Sequence, residues 1–354
     1  MAEKYTCYEE ITHQAEAWQQ AFERVTERTD EIRDFWREAQ PDQVLFTGCT
    51  SPYYAGVSAA IGLEQQLGIS VRAVPCNEFI QFPDAYLTRK ANPVMIVLSR
   101  SGLTTEALWM VEEFNKKHPG RTILLSPREN SPLSRLTRLN IHFPKGDDAA
   151  LPQTRSLSSM YMAALTLNAI ISGFDADLDD LRAAPEAFTS ILQNAEPVVR
   201  EVIESRQISR VFFLGAGPLY GIVREATLKV MEMSFVPTFC YPFLESRHGP
   251  RSLMDANTLV LGLYSQAGRG LEAPVMEEYS QKLGVVSLAA VPDNSWETGA
   301  LNNVVSTGVS WDDRIQGLAY LPIVQLAAYY LAIQQGVNPD LSRNTTSFIE
   351  IVRP

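Results

Sequence analysis

A short apolar run, a tight glycine turn and a long helical stretch occur in this chain twice, and that repetition constrains the fold more than any single motif. The run VLFTG (44–48) ends at Gly48 and is followed by a helical pattern from Tyr53 to Leu67. The same succession restarts at VFFLG (211–215). Gly48, Pro75 and Glu78 have counterparts 167 positions later in Gly215, Pro242 and Glu245, and VLSRSG (97–102) is echoed by LYSQAG (263–268) at a shift of 166. The runs 70–75, 94–99 and 122–126 read as further buried strands, with helices over 104–117 and 156–171. Alternating strands and helices imply parallel sheets with helices on both faces. The expected fold is α/β, with two similar doubly wound domains over 43–185 and 186–354 after an N-terminal helical arm over 1–42. The arm reads as two helices, carried by Trp18, Phe22 and Val25 and then by Ile32, Phe35 and Trp36.

At 354 residues the chain exceeds the ~250–300 at which a single core stops growing, so two cores are expected. A net charge of −11 disfavours nucleic acid, which needs a basic face to neutralise phosphates. The acidic start MAEKYTCYEEITH lacks the apolar core of a signal peptide. No uncharged apolar run is expected to reach the ~18 residues of a membrane span, so no membrane association is expected and the cytoplasm is the expected location. Cys7, Cys49, Cys76 and Cys240 lie far apart without metal-ligand spacing, so neither disulfides nor a metal is expected.

Two turns carry hydroxyls where an anion could sit. Gly48-Cys49-Thr50-Ser51-Pro52 and Ser99-Arg100-Ser101-Gly102-Leu103-Thr104 each join a strand to a helix. Such turns present free N–H groups at the positive end of a helix, at the carboxyl edge of a sheet where ligands bind. The same serines and threonines could be plain helix caps. The equivalents in the second repeat, GAGPL and SQAG, have lost most of the hydroxyls, so only the first domain is expected to hold a phosphate well.

A second cluster is FCYPFLESRHGPRS (239–252), which places Glu245, Arg247 and His248 close together. Such a group is costly to bury unless it pairs or binds something polar; the alternative is that His248 braces the helix start at Gly249-Pro250. Upstream, EATLKVME puts Glu225, Lys229 and Glu232 at i, i+4 and i+7, on one helix face. That face is either a solvated stripe or, given Leu228, Val230, Met231 and Met233 around it, the lining of a cleft. His13, His118 and His142 have no comparable company.

These residues together resemble the tandem sugar isomerase (SIS) domain family of phosphosugar-handling enzymes, over about residues 43–350. SRSGLTTEA is similar to the family's phosphate loop, and NSPLSRLT (130–137) and QTRSLSS (153–159) to two further segments. GAGPLY, EATLKVMEMS and ESRHGP resemble the isomerase half of glucosamine-6-phosphate synthase and the fructoselysine-6-phosphate deglycases. YEEITHQAEAW is similar to the opening of the tagatose-6-phosphate ketose/aldose isomerase group. The resemblance implies phosphate binding by Ser51, Ser99, Ser101 and Thr104, with Thr50, Arg100, Gln153 and Arg343 in the segments that line the substrate. It implies an acid/base role for Glu232, ring opening by His248, and a homodimer with shared active sites, because the family's histidine comes from a neighbouring subunit. SRN (342–344) resembles the family's PRN segment, but Ser347 stands where the synthase has its Schiff-base lysine. The chain begins Met-Ala, without a nucleophilic cysteine at position 2, so no glutaminase activity is expected.

Moving a carbonyl between C1 and C2 of an open-chain sugar needs one base serving both carbons, and opening the ring needs an acid/base near the ring oxygen. Glu232 and His248 fit these tasks. The expected activity is an aldose/ketose isomerase acting on a 6-phosphosugar or phosphorylated amino sugar, with no cofactor. A fructosamine-6-phosphate deglycase, an amino-sugar-phosphate deaminase and a non-catalytic phosphosugar-binding module are the alternatives.

Overall fold

The computed structural model describes residues 5–88, 90–296 and 298–352. The opening Met-Ala, on which the glutaminase expectation rests, lies outside them. The N-terminal segment forms three helices where periodicity suggested two: α1 (Thr6–Thr12), α2 (Ala15–Thr26) and α3 (Thr29–Ala39). Trp18 and Phe22 on α2 are buried, and the Trp18 indole donates to the Ser158 hydroxyl at 2.8 Å.

The first sheet is built from β1 (Gln43–Gly48), α4 (Ser51–Leu67), β2 (Ser70–Pro75), the short α5 (Cys76–Gln81) and α6 (Pro83–Tyr86), β3 (Pro93–Leu98), α7 (Thr105–Lys117), β4 (Thr122–Ser126) and β5 (Leu139–His142), then α8 (Arg155–Ser172). Its five parallel strands run β2-β1-β3-β4-β5. Val94 to Leu98 and Val44 to Phe46 are wholly buried, as strands covered on both faces must be. Next comes α9 (Asp175–Glu204), one unbroken helix through the region read as a domain boundary.

The second sheet repeats the plan with β6 (Arg210–Leu214), α10 (Tyr220–Ser234), β7 (Thr238–Tyr241), α11 (Phe243–Ser246), β8 (Thr258–Leu263), α12 (Glu272–Leu283), β9 (Val286–Val291), β10 (Val304–Ser306) and α13 (Asp313–Gln334). Its order is β10-β9-β8-β6-β7, again all parallel. Numbered within each repeat, both sheets read 2-1-3-4-5. The topology, and not only a few matched residues, is duplicated.

By packing the chain falls into two compact units: 14–148 with 155–185 and 345–354, and 186–344 with 1–13 and 149–154. Each has its own core, around Leu45, Met95, Met110 and Leu124 in one and Phe212, Val260, Tyr279 and Ala289 in the other.

One sequence expectation needs correcting. The helix α13 is long and apolar enough to cross a membrane, against the expectation that no apolar run reaches that length. Gln316 and Gln325 interrupt its apolar pattern to the eye, but both are buried and bonded, Gln316 to Thr307 and Gln325 to the Thr154 carbonyl. In its most apolar window 94 % of the residues are buried within the protein, so α13 is a core helix of its unit.

Candidate active site

In a sheet of order 2-1-3-4-5, ligands bind where the chain reverses direction, at the carboxyl ends of the first and third strands. Here those strands are β1 and β3, paired from Gln43–Pro93 to Thr47–Val97. Both hydroxyl-bearing turns therefore emerge side by side. Gly48 makes this possible, since a Cβ there would lie 2.9 Å from the Leu98 carbonyl oxygen and 2.6 Å from Pro52 Cβ.

The loop after β3 is folded by its own hydroxyls. Ser99 Oγ accepts from the Gly102 N–H and Ser101 Oγ from the Leu103 N–H, each at 3.1 Å. Gly102 is left-handed at φ 63°, and a Cβ there would strike the Ser131 side chain at 2.2 Å. The segment NSPL is tied to the loop by the Leu133 N–H, which donates to the Gly102 carbonyl at 3.2 Å. Thr104 occupies the cap position of α7 and Thr50 that of α4, yet neither makes a side-chain cap bond. Thr50 also holds φ 55°, a strained value for a branched residue. Plain capping thus does not account for either threonine. Ser51, Ser99, Arg100 and Ser101 are each 5 % exposed or less.

Arg100 is not an open anion ligand. Its Nη2 donates to the Ser347 carbonyl at 3.1 Å, and its charge also acts on the buried Asp148. Burial pushes the Asp148 carboxyl up, against the opposing pull of Ser156 and Arg100. The segment 345–352 lies along the same loop: Thr105 N–H donates to Ile349 O at 3.1 Å, and Thr105 Oγ1 accepts from Ile351 N–H at 3.0 Å. One N–H at the start of α7 is therefore already used. Ser347, in the place of the lysine, offers a backbone carbonyl rather than an amine.

The equivalent loop of the second repeat is filled by the chain itself. Gln266 and Ala267 donate their N–H groups to the two carboxylate oxygens of Asp313, at 2.7 and 2.9 Å. Ser265 N and Oγ bond the Glu272 carboxylate at 2.8 Å each. Asp313 is the first residue of α13, whereas α8 in the first unit begins with Arg155. A carboxylate thus occupies one loop, and the sign of the residue at the matching helix start is reversed beside the other. The sequence signalled the lost hydroxyls but not Asp313, which reads as an ordinary acidic residue in a first helical turn.

The face of α10 carrying Glu225, Lys229 and Glu232 is largely buried. Side-chain exposure is 1 % at Glu225, 0 % at Lys229 and 26 % at Glu232. Lys229 Nζ bonds the Glu232 carboxylate directly and stands 3.4 Å from Glu225 Oε1. Burial would depress the ammonium, but the two carboxylates outweigh it and its pKa is raised. Lys229 is thus a fixed cation placed against Glu232.

The stretch 239–252 departs from expectation: Glu245, Arg247 and His248 are exposed. Arg247 and Arg251 reach the Glu278 carboxylate, Arg247 at 2.8 Å and Arg251 at 3.1 Å. Among the described residues the His248 ring has no bonding partner; only its N–H donates, to Glu245 O at 3.2 Å. The reason it cannot meet Glu232 in one chain is topological. Right-handed crossovers place α10 on one face of the second sheet, while the β7–β8 connection runs the opposite way along the sheet and lies on the other. Helix packing agrees, α10 against α13 and α11 against α12.

Gln153 lies in the second unit, with its side-chain oxygen buried and without a hydrogen-bond partner among the described residues. Arg343 stacks its guanidinium 4.1 Å from the Phe235 ring centroid, in a cavity of about 460 Å³ at the carboxyl end of α10. His118 caps α7 against Phe114, and His142 ends β5.

Comparison with known proteins fits this arrangement. The family model described as SIS domain matches residues 39–169. The glutamine–fructose-6-phosphate aminotransferase (isomerizing) of Thermotoga maritima is 26 % identical over 369 aligned positions, covering 98 % of this chain and 59 % of that protein. The chain spans little more than half the length of the curated relatives it matches. Among solved structures, tagatose-6-phosphate ketose/aldose isomerase from Escherichia coli superposes with a TM-score of 0.87 at 22 % identity, over 98 % of this chain and 96 % of that one. The C-terminal domain of glucosamine-fructose-6-phosphate aminotransferase from Francisella tularensis gives 0.78 at 18 %, over 96 % and 99 %. At those identities the superpositions speak for the fold. The SIS-domain match thus covers the first repeat, and the second repeat has the same topology.

Proposed function

We propose that this protein is a phosphosugar isomerase working as a homodimer, with the phosphate held by Ser51, Ser99, Ser101 and Thr104. Glu232 moves a proton between C1 and C2 of an open-chain 6-phosphoketose or amino sugar, and His248 of a second subunit serves the ring oxygen. The observation that carries this reading is the contrast between the two loops: one nest is filled by Asp313, while its counterpart keeps the hydroxyls of Ser99, Ser101 and Thr104. Lys229 supports the assignment of Glu232, since the buried ammonium bonds that carboxylate and fixes its position on α10. Met231 beside Glu232 is 44 % exposed, and Leu244 and Leu253, flanking His248, are 49 % exposed each, which suits surfaces covered by a second copy. Arg100 is assigned a place bracing the phosphate loop, and Thr50, Gln153 and Arg343 supporting places around the substrate. A cytoplasmic setting goes with this reading; all four cysteines are unpaired.

A second reading has one observation in its favour. Ser347 supplies no amine for an iminium, which favours substrates that already carry nitrogen, such as fructosamine 6-phosphates or amino-sugar phosphates. Incubation of 6-phosphosugars and their amine adducts in deuterated water separates the two. Deuterium at C1 or C2 with no amine released supports isomerisation, and free amine supports cleavage or deamination. Saturable binding without either outcome would leave a phosphosugar-binding module.

A further inference from the structure

A cavity of about 310 Å³ lies beside the filled loop of the second unit. Tyr264, Arg269, Glu272, Glu277 and Trp296 supply its functional side chains. Tyr264 is 1 % exposed, and its hydroxyl is buried without a hydrogen-bond partner among the described residues. Tyr264 lines the cavity together with Glu272 and Glu277, whose charges act on its hydroxyl. An unsatisfied buried hydroxyl is costly, and a ligand able to bond it would supply the missing partner.

The lining selects the sign of the ligand. Glu272 is 4 % exposed, and each of its oxygens takes a single bond, both from Ser265. Glu277 Oε1 accepts from the Ala300 N–H at 2.6 Å. A carboxylate offers about four lone-pair sites, so acceptor capacity remains on both. The cavity's cation, Arg269, lies over the Trp296 ring at 5.0 Å, with its Nη2 3.4 Å from the Ser295 carbonyl. Two carboxylates thus face one guanidinium, and above about pH 7, where Glu272 is ionised, negative charge exceeds positive. At ~30 Å³ per water-sized group the space suits a molecule of roughly ten non-hydrogen atoms.

We infer that this cavity is a binding site for a small organic ammonium compound, an amine or amino alcohol, whose N–H donors meet Glu272 and Glu277 and whose polar end bonds the Tyr264 hydroxyl. The site uses no residue assigned to the phosphate loop or to proton transfer, so it stands apart from the proposed isomerase chemistry. Calorimetric titration with 4-aminobutan-1-ol tests it, with butane-1,4-diol and inorganic phosphate as neutral and anionic controls. The amine should bind about tenfold or more tighter than the diol, and phosphate should not compete with it. Tyr264→Phe removes only an unpartnered hydroxyl, so the variant should fold and bind the amine about two- to tenfold more weakly. Glu277→Gln, whose amide oxygen can keep the Ala300 bond, should weaken the amine more than the diol. Equal amine affinity in the parent and both folded variants would overturn the assignment, as would no heat of binding at about 10 mM amine.

Discussion

Glu232 and His248, sixteen residues apart in sequence, stand on opposite faces of the second sheet, the first on α10 and the second in the crossover beyond β7. If one reaction needs both, two chains must supply them. Glu232→Gln should bind phosphosugar nearly as well as the parent while turnover falls by ~10²–10⁴. His248→Ala should impair cyclic substrates more than open-chain analogues. Mixing the two inactive proteins under conditions of proven subunit exchange should restore part of the activity, read as initial rate against mixing ratio. No recovery would remove the shared-site proposal.

The first loop predicts a binding defect without a folding defect. Ser101→Ala with Thr104→Ala removes two hydroxyls that each give roughly 1.5–3 kcal/mol to a charged ligand, so affinity for phosphosugars should fall at least about a hundredfold. Thermal unfolding should move little, because Thr104 makes no cap bond and Ser101 makes one local bond.

Lys229→Met should be far more damaging to stability than its position on a helix face suggests. It leaves Glu225, 1 % exposed, without the cation beside it, a loss of about 3–5 kcal/mol for a broken buried pair. The double change with Glu225→Gln should recover part of that, measured by denaturant unfolding. A double variant no more stable than the single one would show that the two residues are not coupled.

Glu272 predicts a pH dependence of definite sign. Burial pushes its pKa from the ordinary 4.5 up to about 7, with Asp313 adding to the rise and the two Ser265 bonds opposing it. Its stabilising effect is therefore complete below about 4.5 and is lost as pH rises through 7, by at most about 3 kcal/mol. Glu272→Gln, which can keep both contacts to Ser265, should flatten the decline in melting temperature between those pH values. An unchanged slope would mean that Glu272 does not titrate in that range.

The sequence made the duplication legible because its signals are local: apolar runs of strand length, glycine turns, and a constant shift between Gly48–Glu78 and Gly215–Glu245. Strands β1 to β4 and β6 fall within a residue of where the patterns put them. The two hydroxyl turns and the buried stripe on α10 were equally visible. Non-local relations were not. Asp313 meets the loop at Gln266 from 47 residues away, and Arg100 meets Ser347 from 247 away. His248 looked costly to bury because its neighbours are charged, but those charges reach Glu278 at the surface.

Asp313→Ala should uncover the second nest. Two backbone N–H groups lose their acceptor, at a cost of roughly 1–3 kcal/mol, and inorganic phosphate should then raise the melting temperature of the variant more than that of the parent. Equal responses to phosphate would show that the loop cannot accept a free anion.

The filled nest also bears on selectivity among dissolved anions. Asp313 is a ligand tethered to its own receptor, and such a tether acts as an effective concentration in the millimolar range or above. A free phosphate ester at a lower concentration cannot displace it at equal intrinsic affinity. Two nests of one topology can therefore share a single chain without sharing a ligand, because one of them carries its own carboxylate.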